Sequence, residues 1–223
     1  MINIKDKLKT TIRCLSVLFL YFSLSYILSY MFYEAFASTN NVIRTISLIL
    51  SNLFILLIIT LFFLPKLVND ANKLSKDNLK IAYKNWLLGI IIMYLSNFII
   101  LLINKDLAAN EATNRAILQQ APIYAIIVMV IIAPITEELI FRLSLRNIFN
   151  NRTLYCLFSG LIFGILHLTS IKEILFLIPY GSLGFFFAKT LYDTDNIYAP
   201  MITHITHNAI IIFMLILGSI VGI

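Results

Sequence analysis

All three histidines of this 223-residue chain fall in apolar stretches. His167 ends the run Phe163-Gly164-Ile165-Leu166-His167, and His204 and His207 lie in His204-Ile205-Thr206-His207-Asn208. A further polar intrusion occurs in Ala133-Pro134-Ile135-Thr136-Glu137-Glu138-Leu139-Ile140-Phe141-Arg142. A charged side chain at the centre of a membrane helix costs roughly 2.5–3.5 kcal/mol even on the lenient insertion scale, so such residues are functional candidates. Their chemistry is coherent. A carboxylate can take a proton from water, and an imidazole and an amide can donate to a developing oxyanion. Glu137, His167, His204 and Asn208 are therefore the candidate catalytic set for hydrolysis.

Helical spacing divides the labour. At about 100° per residue, Glu138 and Arg142 stand about 40° apart, an (i, i+4) pair. Glu137 is about 140° from Arg142. Glu138 is thus expected to neutralise the guanidinium, leaving Glu137 free to act on water. His204 and Asn208 also share a face, whereas His207 points about 60° away and is a second-rank candidate, expected rather to pack or hydrogen-bond. Phe163 and His167 share a face, so the ring would wall the site. Gly160 and Gly164 make a small-xxx-small ridge for close helix approach. A proton or ion pathway also uses buried carboxylates and histidines. No inverted repeat or paired broken helix supports that rival, although Pro134 and Pro179 are kink candidates.

The elements that must carry these residues follow from composition. The chain is 60% hydrophobic and 13% charged, with a formal net charge of +6; soluble domains run about 45–50% apolar and about 25% charged. Disorder is excluded, and 223 residues cannot hide so much apolar surface in one soluble core. The expected fold is an all-α polytopic bundle of about seven spans, near 13–36, 43–67, 86–104, 121–148, 153–170, 172–191 and 197–221. Residues 1–120 would form three N-terminal spans and residues 121–223 the catalytic core. Segment 66–85 reads as a loop or a short surface helix.

Charge sets the orientation. Lys5, Lys7, Lys9 and Arg13 precede the first span, and Lys66, Lys73, Lys76, Lys80 and Lys84 follow the second. Arg142, Arg146 and Arg152 surround the end of the fourth. The alternate connections, 34–41 with Glu34 and 105–120 with Lys105, Asp106, Glu111 and Arg115, are near neutral. Basic charge at every second loop places the N-terminus in the cytoplasm of a multi-pass cell-membrane protein, with Tyr83 and Trp86 as interfacial anchors. The same distribution argues against nucleic acid as a partner and for the lipid bilayer. The first apolar run is too long for a signal-peptide core and is expected to be retained. Cys14 and Cys156 lack neighbours at metal-ligand spacing and read as small hydrophobes. In this topology Glu137, His167 and His204 lie roughly 16, 21 and 10 Å from the inner end of their helices, within reach of one cavity.

Glu137-Glu138-x-x-x-Arg142, Phe163-x-x-x-His167 and His204-x-x-x-Asn208, in this order on late helices, resemble the three motifs of the CAAX protease and bacteriocin-processing family. These are the type II CAAX prenyl endopeptidases and their abortive-infection-type relatives. The resemblance covers roughly residues 121–215. It implies intramembrane proteolysis of a peptide or membrane-protein substrate. Glu137 would activate water, His167 would orient it, and His204 and Asn208 would stabilise the oxyanion. Glu138, Arg142 and Phe163 would give structural support. The family resemblance leaves two mechanisms open. Glu137, His167 and His204 would be the three ligands of zinc or another divalent metal, with water fourth. The lack of a His-Glu-x-x-His run and the amide at 208 favour metal-free activation, with no cofactor required. The Ile-, Asn- and Lys-leaning composition points to an AT-rich bacterial genome, and so to exported peptides, pheromones or bacteriocins as substrates. A non-catalytic membrane binding or immunity protein of the same fold is the alternative.

Overall fold

The computed structural model describes residues 4–36, 40–104 and 108–221, which form helices and turns with no strand among them. The charges of Lys5, Lys7, Glu34, Lys105 and Asp106 lie outside the described side chains. Eight helical elements follow one another: α1 Ile4–Phe36, α2 Asn41–Lys73, α3 Lys76–Asn104, α4 Ala109–Gln120, α5 Pro122–Leu143, α6 Arg152–Leu166, α7 Leu177–Thr194 and α8 Tyr198–Val221. A 3-10 segment, Ile171–Phe176, leads into α7. Six of these are long and apolar enough to cross a membrane. The exception among the seven expected spans is α6, an apolar helix of 15 residues, short of the roughly 20 that a bilayer core requires.

Three expectations change. The polar segment 66–85 is helix almost throughout, because α2 and α3 extend past their apolar stretches and break only at Leu74-Ser75. Ser75 starts α3 as a reciprocal cap: Asn78 N–H donates to Ser75 Oγ at 3.2 Å, and Ser75 N–H donates to Asn78 Oδ1 at 3.0 Å. Residues 105–120 contain α4, a helix of polar composition carrying Asn110, Glu111, Asn114 and Arg115. His167 does not lie within α6 but just past its end, as the C-cap.

Helix burial follows sequence period. In α2 the buried residues are Ser47, Ser51, Ile55, Ile59, Phe63, Leu67 and Asp70, a stripe spaced by three or four residues. Leu50, Leu53, Leu57 and Leu61, on the remaining face, are exposed, as lipid-facing residues must be. The central core joins Val17 of α1 and Ile55, Ile59 and Phe63 of α2 to Leu139, Ile140 and Phe141 of α5 and Leu191 and Met201 beyond. Early and late helices thus share one interior.

The tightest contact is between α6 and α7, with α3 on the other side of α7. It rests on the expected glycine ridge. A Cβ at Gly160 would stand 2.6 Å from the carbonyl oxygen of Gly181, and one at Gly164 would stand 2.7 Å from Leu177. Only hydrogen at these positions lets the two backbones touch.

Helix α5 is unusual. Ala125–Ile132 and Leu139–Leu143 are π-helical, flanking the α-helical Ala133–Glu138. Ala133 N–H donates to Val128 O, five residues back. The next bond in that register would need an N–H at Pro134, which has none. Met129 O is therefore left for another donor, and Asn208 Nδ2 of α8 supplies it at 2.7 Å. At the other π stretch Ser144 N–H reaches Leu139 O at 3.1 Å. From α6, the Ser159 hydroxyl donates to Phe141 O at 2.6 Å and the Tyr155 hydroxyl to Arg142 O at 3.1 Å. In a membrane such backbone groups must be satisfied from within the protein.

Candidate active site

The two adjacent glutamates of α5 go to different environments. Glu138 and Arg142 are fully buried, with Arg142 Nε 3.3 Å from Glu138 Oε2. This is an ion pair by distance without an aligned hydrogen bond, and the other guanidinium nitrogens find no protein acceptor. They are held instead by aromatic faces: the Arg142 carbon lies 4.4 Å from the ring centre of Phe163 and 5.7 Å from that of Phe187. Glu137, one residue earlier, keeps 21% of its side-chain surface. The helix turns it away from Arg142 and towards a cavity.

His204 joins the two carboxylates. Its Nδ1 lies 2.9 Å from Glu138 Oε1, and its Nε2 lies 3.7 Å from Glu137 Oε2. A carboxylate accepts only, so Nδ1 carries the proton on that bond. The far nitrogen, Nε2, then faces Glu137. Phe187 of α7 stacks on the imidazole at 4.5 Å, and Phe163 meets it edge-on at 5.7 Å. His204 is only 3% exposed, and its ring plane is fixed on both sides.

His167 is positioned by different means. As the α6 C-cap it hydrogen-bonds its Nδ1 to Phe163 O at 2.7 Å. A carbonyl accepts, so this nitrogen donates and Nε2 keeps its lone pair. Tyr180 of α7 stacks on the ring at 4.9 Å, and Phe163 lies against it at 4.3 Å. The motif phenylalanine therefore touches all three polar members: Arg142, His167 and His204.

Glu137, His167, His204 and Asn208 line a single cavity of about 640 Å³. His207, the second-rank candidate, lines it too; it is 8% exposed and sits edge-on to Trp86 at 6.4 Å. The cavity reaches Asn110 and Arg115 of α4 at one end. On its side lie Tyr94 and Phe98 of α3 and Met214 of α8, each more than half exposed towards the surface that lipid covers. Asn208 divides its amide between the Met129 carbonyl and the cavity. Tyr180 and Phe187, which orient the two imidazoles, carry no recognisable signal in the sequence: each is one aromatic among many in an apolar run.

Among the described residues, no group of three His, Cys, Asp or Glu side chains is gathered closely enough to hold a metal ion. The trio Glu137, His167 and His204 thus shares a cavity without forming a ligand set in this geometry.

Residues 119–210 match the family model for type II CAAX prenyl endopeptidase, Rce1-like. Two curated relatives each match part of the chain. YdiL of Bacillus subtilis strain 168, named as a membrane peptidase, is 33% identical over 101 residues, 44% of this chain and 39% of the relative. An uncharacterized protein of Mycoplasma capricolum subsp. capricolum is 34% identical over 92 residues, 41% of this chain and 27% of the relative. The alignments thus span well under half the length of both relatives. No solved structure matches the chain. The three motifs, their meeting in one cavity and the family match coincide on the same stretch: over residues 119–210, under half of its length, the chain is similar to the Rce1-like type II CAAX prenyl endopeptidases.

Proposed function

We propose that the protein is an intramembrane endopeptidase that cleaves a membrane-embedded or membrane-proximal peptide with water activated by Glu137. The supporting observation is the division of the glutamate pair. One carboxylate is sealed against Arg142, while the other opens into a cavity with both imidazoles. Glu137 takes a proton from water as the hydroxide attacks the scissile carbonyl, and returns it to the departing amine. The Nε2 lone pair of His167 accepts a hydrogen bond from that water and aims it. His204, its ring oriented by the Nδ1 bond to Glu138, turns Nε2 to the developing oxyanion and donates to it when that nitrogen is protonated. The amide of Asn208 not spent on Met129 adds a second donor. The reaction uses no cofactor; zinc binding would require Glu137, His167 and His204 to draw together.

The substrate is a peptide whose apolar segment enters between α3 and α8 past Phe98 and Met214, with its polar end beside Arg115 and Asn114 of α4. The basic ends of α2 and α3 face the cytoplasm, so α4 and the polar mouth face outward. In a bacterial membrane that geometry suits exported peptides, pheromones or bacteriocins. The test is comparative peptidomics on cells and on purified protein in liposomes. Cleavage products should appear with the native chain and vanish in Glu137→Gln and in His167→Ala. Unchanged cleavage in both variants overturns the mechanism. A cellular phenotype kept in full by Glu137→Gln would instead assign the protein a binding or immunity role.

A further inference from the structure

A second cavity, of about 420 Å³, lies at the opposite, basic end of the bundle and shares no lining residue with the first. Three cations meet in it: Arg13 of α1, Lys66 of α2 and Arg146 after α5. Lys66 is already balanced, at 3.0 Å from Asp70 Oδ1 and 3.2 Å from Asp195 Oδ1. The two arginines are not. Among the described residues neither has an acidic partner. Arg13 donates to the Phe62 carbonyl and lies 5.4 Å from the ring of Phe63. The Arg146 guanidinium carbon lies over the Tyr192 ring, 4.1 Å from its centre, and its Nε is buried without an acceptor. Elsewhere at this end cations find carboxylates: Arg152 and Lys189 both pair with Asp193. Two uncompensated guanidiniums facing one void, beside the exposed amide of Asn147, form an oxyanion receptor with bidentate donors. Its walls turn apolar at Phe63, Leu143 and Leu191.

We propose that this cavity binds the phosphate of an anionic phospholipid headgroup, with the glycerol and upper acyl chain along Phe63 and Leu191. A basic pocket between helices at the cytoplasmic end of a membrane protein is placed where anionic headgroups are concentrated. The ligand bridges α1 to the end of α5, four residues beyond Arg142, and fastens the N-terminal helix to the helix that carries the glutamates. The inference is independent of the proteolytic reading.

The test uses the purified full chain in neutral detergent, titrated with short-chain phosphatidylglycerol, phosphatidylcholine or inorganic phosphate. Native mass spectrometry and thermal unfolding report binding. Phosphatidylglycerol should bind saturably and phosphatidylcholine should not. Arg13→Gln and Arg146→Gln should each weaken binding about ten-fold, while Lys80→Gln, at a residue lining neither cavity, should leave it unchanged. Inorganic phosphate that competes through the same arginines would identify a phosphate site of either source; lipid binding that phosphate does not displace would identify the headgroup. Equal binding of both lipids, or binding untouched by both arginine variants, overturns the proposal. Arg13 is exposed, so its variant decides the matter if Arg146→Gln fails to fold.

Discussion

Adjacent glutamates with opposite fates are the main residue-scale feature. Glu138 serves the fold: it balances Arg142 and holds His204 by its Nδ1. Glu137 serves the cavity. The two should therefore fail differently. Glu137→Gln should leave the melting temperature unchanged and lower cleavage by about 10²–10⁴-fold, the usual contribution of a positioned base. Glu138→Leu should lower stability by about 3–5 kcal/mol, because it strands a buried guanidinium. Adding Arg142→Leu should restore part of that loss, since a paired apolar replacement removes both charges. Thermal unfolding in detergent checks both; a Glu138→Leu variant as stable as the native chain would refute the ion-pair account. The double variant should still cleave poorly, because His204 has lost the acceptor that fixes its ring.

At the scale of elements, two contacts set how the helices meet. The first is the α6–α7 glycine seam. Gly160→Ala pushes a methyl group against backbone at 2.6 Å, which should cost about 1–3 kcal/mol as overpacking does. Gly89→Ala is a fair control: its nearest neighbours are side-chain atoms of Phe186 at 3.3 Å, and helix propensity offsets the crowding by about 1 kcal/mol. Ranking the two melting temperatures tests the seam, and equal values would refute it. The second contact is the turn between α7 and α8. Asp195 adopts a left-handed conformation, φ 45°, which Asp tolerates better than most residues. Asp70, 1% exposed, accepts from Ile197 N–H at 2.9 Å and from Lys66 at 3.0 Å. It thereby ties α2 to the start of the helix bearing His204. Asp70→Ala should lower stability by about 1–3 kcal/mol through the orphaned donors, and differential scanning fluorimetry would show the shift.

For the whole molecule, the two cavities lie at opposite ends: one basic, one bordered by the polar α4. That polarity makes orientation measurable. On the proposed orientation, N-terminus in the cytoplasm, the chain should present Arg115→Cys to a membrane-impermeant maleimide in intact cells and shield Lys80→Cys until the membrane is opened. The native Cys14 and Cys156 are buried and should add little background. Labelling of Lys80→Cys alone in intact cells would reverse the topology and place the mouth of the cavity in the cytoplasm.

Legibility in the sequence followed range of interaction. The helices, the Glu138–Arg142 pair and the Gly160/Gly164 ridge were readable, since each depends on residues a few positions apart and on a fixed 3.6-residue turn. The continuation of α2 and α3 through 66–85 was not, because charged residues read as a loop or a short surface helix although a spanning helix can run on beyond the lipid. The polar composition of α4 hid a helix for the same reason. Three decisive contacts had no local signature. They are the grip of Glu138 on His204, 66 residues away, the Asn208 bond to the carbonyl that Pro134 leaves free, and the stacking of Tyr180 and Phe187 on the two imidazoles. Local spacing says which side chains leave a helix on the same face. Which partner that face meets depends on how helices distant in the chain are packed, and that packing sends one glutamate to a guanidinium and the other to the cavity.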